Sequence, residues 1–187
     1  MRPSTSGFTL VETSISLAVF GLLMASVFAI VAETSNFLGD NEVETTAQME
    51  GNRAFKRLSD VLRKSGRIAV AGVAYPRVVG GGSELEFRVL TDLDGNGYPF
   101  DASTAGLEWS NTVYTVKRTA DSSLGIYAGS NKVHHLGRFV ENLKFETIAE
   151  NPALHLKEIR VSYEARRKNK SGVVTAYGVS GSIHMRN

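Results

Sequence analysis

Three patterns of hydrophobic and polar positions follow one another along the chain. Residues 17–32 read LAVFGLLMASVFAIVA, sixteen positions without a charge, and the uncharged span reaches back to Thr13. A helix from Phe8 to Ala32 would rise about 37 Å at ~1.5 Å per residue, enough to cross a hydrocarbon core of about 30 Å. In the second pattern, residues 33–65, small or apolar residues recur at spacings of three and four: Val43, Ala47, Gly51, Ala54, Leu58, Val61 and Ser65, with Phe55 and Leu62 beside them. That repeat predicts an amphipathic helix, whose other face holds Glu42, Glu44, Gln48, Arg53, Lys56, Arg57, Asp60, Arg63 and Lys64. No proline lies between Pro3 and Pro76, so one rod is expected, with late basic residues suited to its carboxyl end and Ser65-Gly66 ending it. From Val70 the period falls to about 2 and β-branched and aromatic residues accumulate. Strands are predicted near 84–90, 112–118, 124–128, 138–148, 156–166 and 173–185, with glycine-rich turns at 78–83, 92–97 and 167–172. The fold class is therefore α+β: a long amino-terminal helix packed on antiparallel strands.

Composition narrows the chemistry. At 187 residues, with 42% hydrophobic and 21% charged residues, the chain is neither a disordered polymer nor a polytopic membrane protein. The absence of cysteine removes disulfides, thiolate metal sites and a cysteine nucleophile. A formal charge of +2 is too small for a protein that coats polyanions, so any nucleic-acid contact is local. The one basic run, Arg166, Arg167, Lys168 and Lys170, either touches phosphates of DNA or lipid or is a solvated hairpin turn. His134 and His135 are adjacent and would face opposite ways on a strand, while His155 and His184 lie in unrelated segments. No GxSxG is present, and Trp109 reads as packing. No enzymatic site is expected.

Glu12 is the acid within the apolar segment. An acid deep in a membrane helix costs about 2.5 to 3.5 kcal/mol, so it either reaches the interface and stays solvated or has a partner. Its context is MRPSTSG followed by FTLVE. The run GFTLVE at residues 7–12, with a short polar leader before it and an apolar helix after it, resembles the processing site of the type IV pilin and type II secretion pseudopilin superfamily. The resemblance implies that a prepilin peptidase cuts after Gly7 on the cytoplasmic side and N-methylates Phe8, and that the helix is retained. It also implies that Glu12 neutralises the amino-terminal charge of a neighbouring subunit in a filament. A carboxylate and an ammonium both removed from water are tolerable only together. Gly21 falls where many pilins carry a helix-loosening glycine, and Ala29 stands near the place of their common proline.

The order FVENLKF, KEIRVSYEAR, basic turn and last strand is similar to the carboxyl half of minor pilins and J-type pseudopilins. The resemblance implies a leader at 1–7, a transmembrane and filament-core helix at 8–32, its amphipathic continuation at 33–66, and a β-rich pilin-like domain at 67–187. It implies a minor pilin or pseudopilin: a structural subunit that takes part in filament initiation and assembly. Its partners would be the prepilin peptidase and other pilins or pseudopilins in a filament tip or shaft. It would span the inner membrane once, with its carboxyl-terminal domain in the periplasm or in an extracellular filament. The alternative is a membrane-tethered extracytoplasmic binding module for calcium, DNA or a secreted substrate. Type IV pili, type II secretion and DNA uptake share this leader, and the lack of cysteine, which departs from many major pilins, leans toward a minor subunit or a pseudopilin.

The loop DLDGNG adds one candidate cofactor, calcium. Asp92, Asp94 and Asn96 at alternate positions, with Gly95 and Gly97 between, present oxygens as the start of an EF-hand loop does. Backbone oxygen near Tyr98 and the carboxylate of Asp101 would complete the site. The twelfth position is Ser103 where a bidentate glutamate is usual, and a glycine-assisted turn fits the same residues. Many minor pilins show a similar loop at this place.

Overall fold

The computed structural model describes residues 9–101, 103, 106–169 and 172–185, the side chains of 36 and 40 excepted. Helix α1 spans Leu10–Leu62, and the chain divides into two compact units, 1–42 and 43–187. Along the described part of the first unit the large apolar side chains are exposed, Leu17, Phe20, Leu23, Val27 and Ile30 among them. This stretch is long and apolar enough to cross a membrane, with a mean hydropathy of 2.5 over its best window. The hydroxyls of Thr13, Ser14 and Ser26 donate to the carbonyls of Thr9, Leu10 and Leu22, which satisfies them within the helix.

The second unit sets the rest of α1 against strands. In chain order these are β1 (Ile68–Val70), β2 (Val73–Tyr75), β3 (Arg77–Val79), β4 (Glu84–Phe87), β5 (Phe100–Asp101), β6 (Gly106–Leu107), β7 (Tyr114–Arg118), β8 (Leu124–Ala128), β9 (Asn131–Gly137), β10 (Val140–Glu146), β11 (Glu158–Lys168) and β12 (Val174–His184). A five-stranded sheet has the order β3-β4-β7-β8-β9 and a three-stranded sheet the order β10-β11-β12; β1-β2 and β5-β6 pair as hairpins. All pairings are antiparallel. Helix and antiparallel sheets give the α+β, pilin-like architecture.

The helical repeat read from the sequence is the buried stripe. Ala47, Gly51, Ala54, Leu58 and Leu62 are buried, and their core partners include Leu85, Phe87, Val116, Leu124, Phe145, Val161 and Ile183 from both larger sheets. Small residues let the helix approach closely. A Cβ on Gly137, at the end of β9, would lie 2.6 Å from Ala54 Cβ, and one on Gly51 would lie 2.9 Å from Val179 Cγ2. The buried Tyr163 Oη donates to the Gly51 carbonyl at 2.6 Å, tying β11 to the helix. Burial pushes this phenol above its ordinary pKa.

Several sequence expectations are corrected. The helix closes at Leu62, three residues early, because Ser65 Oγ and N–H both bond the Leu62 carbonyl and Ser65 then bridges to Val89. Its last turn holds no basic residue. The strand expected at 84–90 breaks after Phe87, leaving Leu90 in an isolated bridge with Trp109. Strand β9 had no counterpart among the expected strands, and the run 138–148 begins only at Val140, after Phe139 with φ +62°. The turn expected at 167–172 starts later, since β11 continues through Arg166, Arg167 and Lys168, paired with Ala176, Thr175 and Val174.

Candidate functional site

At the start of α1, Thr9 precedes the first helical residue and Glu12 follows three positions on. Thr9 N–H and Oγ1 each donate to Glu12 Oε2 at 2.9 Å, and Glu12 N–H donates to Thr9 Oγ1 at 3.3 Å. This is a reciprocal capping box: two helix-end donors gain acceptors, and the carboxylate sits where the helix dipole favours negative charge. The pattern T-x-x-E is legible in the sequence, yet the sequence reading treated Glu12 alone and missed Thr9. Gly7 and Phe8 lie outside the described residues.

The acidic loop lies between β4 and β5. Asp92 Oδ1 accepts from Gly95 N at 2.7 Å and Asn96 N at 3.1 Å, and its Oδ2 accepts from Gly97 N at 2.8 Å. Hydrogen bonding by the Gly97 amide first, with those of Gly95 and Asn96, holds this carboxyl below its ordinary pKa. Asp94 accepts from Asn96 N and Nδ2, Asn96 Nδ2 also donates to the Phe100 carbonyl, and Asn96 Oδ1 accepts from Tyr98 N. Gly97 has φ +88°, a conformation that suits glycine at this bend.

Asp92, Asp94 and Glu108 each bring a carboxylate oxygen within 4.8 Å of the others. Glu108 is 8% exposed and accepts from Leu93 N at 2.6 Å. The expected fifth ligand, Asp101, stands outside this group, its Oδ1 accepting from Ser103 N and Oγ. Three carboxylate oxygens suit a hard cation such as calcium, and the amide bonds within the loop equally suit a turn. Glu108 was missed because the β5-β6 hairpin delivers it from far along the chain, where no local spacing marks it.

The basic run is not one clamp. Arg166 pairs with Glu141 at 3.0 Å and Glu164 at 2.8 Å, while the Arg167 guanidinium lies 5.6 Å from the Phe139 ring centroid. Lys168 faces Val174 across the hairpin, and Lys170 lies outside the described residues. Among the histidines, His135 has its Nδ1 3.3 Å from Ser123 Oγ. Lys132 Nζ donates to the same hydroxyl at 3.0 Å, and Asp121 Oδ1 accepts from Thr119 Oγ1 and Ser123 N. Burial, then the charges of Lys132, Arg138 and Arg57, lower the His135 pKa. Asp121 thus bonds Thr119 and Ser123 rather than the imidazole. A cavity of about 130 Å³ lined by Arg67, Pro76, Arg77, Leu156, Glu158 and Met185 has no histidine or serine in its lining.

Residues 2–28 match the family model described as the prokaryotic N-terminal methylation motif. No curated protein and no solved structure matches the chain. The motif implies processing by a prepilin peptidase and assembly with other pilins, and together with the apolar helix it indicates membrane anchoring. The family that carries it consists of structural subunits. This amino-terminal match supports the resemblance of the chain to the type IV pilin and pseudopilin family.

Proposed function

We propose that the protein is a minor pilin or pseudopilin that takes part in starting and assembling a type IV pilus or type II secretion filament. The observation that carries this reading is the methylation motif at residues 2–28, set at the head of a helix apolar enough to cross a membrane. In the proposal the peptidase cuts after Gly7 and methylates Phe8, residues 8–32 anchor the chain, residues 33–66 continue the helix, and residues 67–187 form the extracytoplasmic domain. Before assembly the Glu12 carboxylate is held by Thr9 of its own chain. In the filament the amino-terminal ammonium of a neighbour supplies the opposite charge, which a carboxylate out of water requires. Nothing in this role calls for catalysis.

The test is the mass of the intact protein from cells that contain the peptidase. Wild type should lack residues 1–7 and gain one methyl group, whereas Gly7→Leu should retain its leader while still entering the membrane. Normal processing of Gly7→Leu would contradict the cut site, and a mature chain beginning at Met1 would contradict the filament reading. A second reading, a tethered module that binds calcium, is favoured by the juxtaposition of Asp92, Asp94 and Glu108. The two are compatible.

A further inference from the structure

The two larger sheets have four edges, and three of them are guarded. β3 is three residues long and begins with Arg77. β9 carries Lys132 and two histidines and slips register twice against β8. β10 carries Glu141, Lys144 and Glu146 and a register shift of its own. Shortness, charge and bulges are the means by which sheet edges avoid pairing with other chains.

β12 has none of them. It runs in unbroken register with β11 over 11 residues, with no Asp, Glu, Lys, Arg or Pro. Among the described residues no other strand pairs with its outer side. Toward α1 it buries Val179 and Ile183, while Ala176, Gly178, Ser180 and Ser182 lie exposed on the other face.

We propose that the β12 edge receives an extended segment of another subunit of the same filament, which lengthens the three-stranded sheet by one strand. This rests on the filament reading above and names the surface that holds a partner. The edge itself dictates a strand, because N–H and C=O groups at strand spacing are matched along their length only by another extended backbone. Charge selects which strand. The hairpin end is basic, with Arg167 opposite Thr175 and Lys168 opposite Val174, and Lys168 is in no ion pair among the described residues. A second copy pairing through its own β12 would offer no acid there, since that strand contains none. The occupant is therefore a different subunit, with alternating small and apolar residues and an Asp or Glu beyond its Val174-facing end. A strand beside β12 lies about 10 Å from β11, a gap that lysine and glutamate side chains span together.

The experiment fills the edge in cis. A Thr/Val-alternating segment ending in glutamates is joined after Asn187 by a Gly/Ser linker, which holds it at about millimolar effective concentration. The control is a Gly/Ser tail of equal length. In the purified full-length chain, alternate amides of residues 174–184 should exchange at least ~10-fold more slowly with the strand tail than with the control. In cells the strand-tailed chain should be cut after Gly7 and inserted as usual but fail to support filament assembly, while the control supports it. Unchanged amides would overturn the proposal by showing an edge that accepts no strand. Slowed amides with normal assembly would overturn it by showing an edge that assembly does not use. A third arm uses Ser180→Cys in this cysteine-free chain. A disulfide-linked homodimer in membranes would assign the edge to a second copy and overturn the heterologous partner. If the control-tailed chain were itself left uncut, the filament reading would fail, separately from the exchange result.

Discussion

Glu12 and Tyr163 are polar groups that the fold accepts because each has a named partner. For Glu12 the partner is Thr9, and both of that residue's donors reach one carboxylate oxygen. Glu12→Leu should make membrane insertion easier by about 2 to 3 kcal/mol and yet weaken incorporation into filaments, measured by immunoblot of sheared filaments against membrane fractions. Unchanged incorporation would mean that the carboxylate is only an interfacial group. Thr9→Val keeps the backbone bond and removes the hydroxyl, so it should have a smaller effect in the same direction. Tyr163 bonds the Gly51 carbonyl from within the core. Tyr163→Phe should cost about 1 to 2 kcal/mol in denaturant titration. Its pKa is raised in the folded state, so the neutral phenol is the form the fold favours. The stability it contributes is complete below the ordinary phenol value of about 10 and is lost as pH rises beyond it. Wild type should therefore lose stability above that pH faster than Tyr163→Phe.

Between elements, small residues decide whether α1 can lie against the sheets. Gly137→Ala would bring Cβ to within 2.6 Å of Ala54 Cβ, and the helix backbone behind Ala54 cannot retreat without moving a turn. The expected cost is about 1 to 3 kcal/mol. Adding Ala54→Gly should return part of it, less about 1 kcal/mol for glycine in a helix, so a double-mutant cycle of melting curves should show coupling. A purely additive pair would place the strain elsewhere. The helix side of this contact was legible, because Ala47, Gly51, Ala54 and Leu58 repeat at a period that only a helix aligns. The sheet side was legible where alternation is strong: β11 reads buried and unburied by turns from Ile159 to Ala165. It failed at β9, whose NKVHHL opening is exposed for five residues and polar enough to resemble a loop. The first five residues of β9 are exposed on both faces of the strand, so they carry no apolar alternation to read. The candidate loop divides the same way. Asp92, Asp94 and Asn96 were readable from spacing, while Glu108 joins them through hairpin geometry that no local window contains.

At the scale of the whole molecule, a cation at the loop would add stability through the residues it ties together. Asp92, Asp94 and Glu108 come from the two sides of the β5-β6 hairpin, so a shared ion would fasten the loop to the residue after β6. Lacking the bidentate ligand of a sensor loop, the site should bind at about 0.1 to 1 mM, the range of extracellular modules. Free calcium at about ten times the dissociation constant then stabilises the fold by ~1.4 kcal/mol through mass action. For a chain of this size the melting temperature of the detergent-held protein should rise by about 3 to 6 °C and fall back on chelation. Asp92→Ala with Asp94→Ala should abolish the rise. Glu108→Gln, which leaves an acceptor for Leu93 N but removes the charge, should reduce it strongly. Asp101→Ala and Asp121→Ala should leave it intact, because neither carboxylate joins the group of three. Acid should act in the same sense as the chelator. The lowered Asp92 pKa means that this carboxylate keeps its charge down to below the ordinary aspartate value of about 4 and loses it, with its hold on any bound cation, as pH falls further. A melting temperature indifferent to calcium, to chelator and to the changes at Asp92, Asp94 and Glu108 would leave the amide bonds to Asp92 as a complete account of the loop: a glycine-assisted turn with no ion to hold.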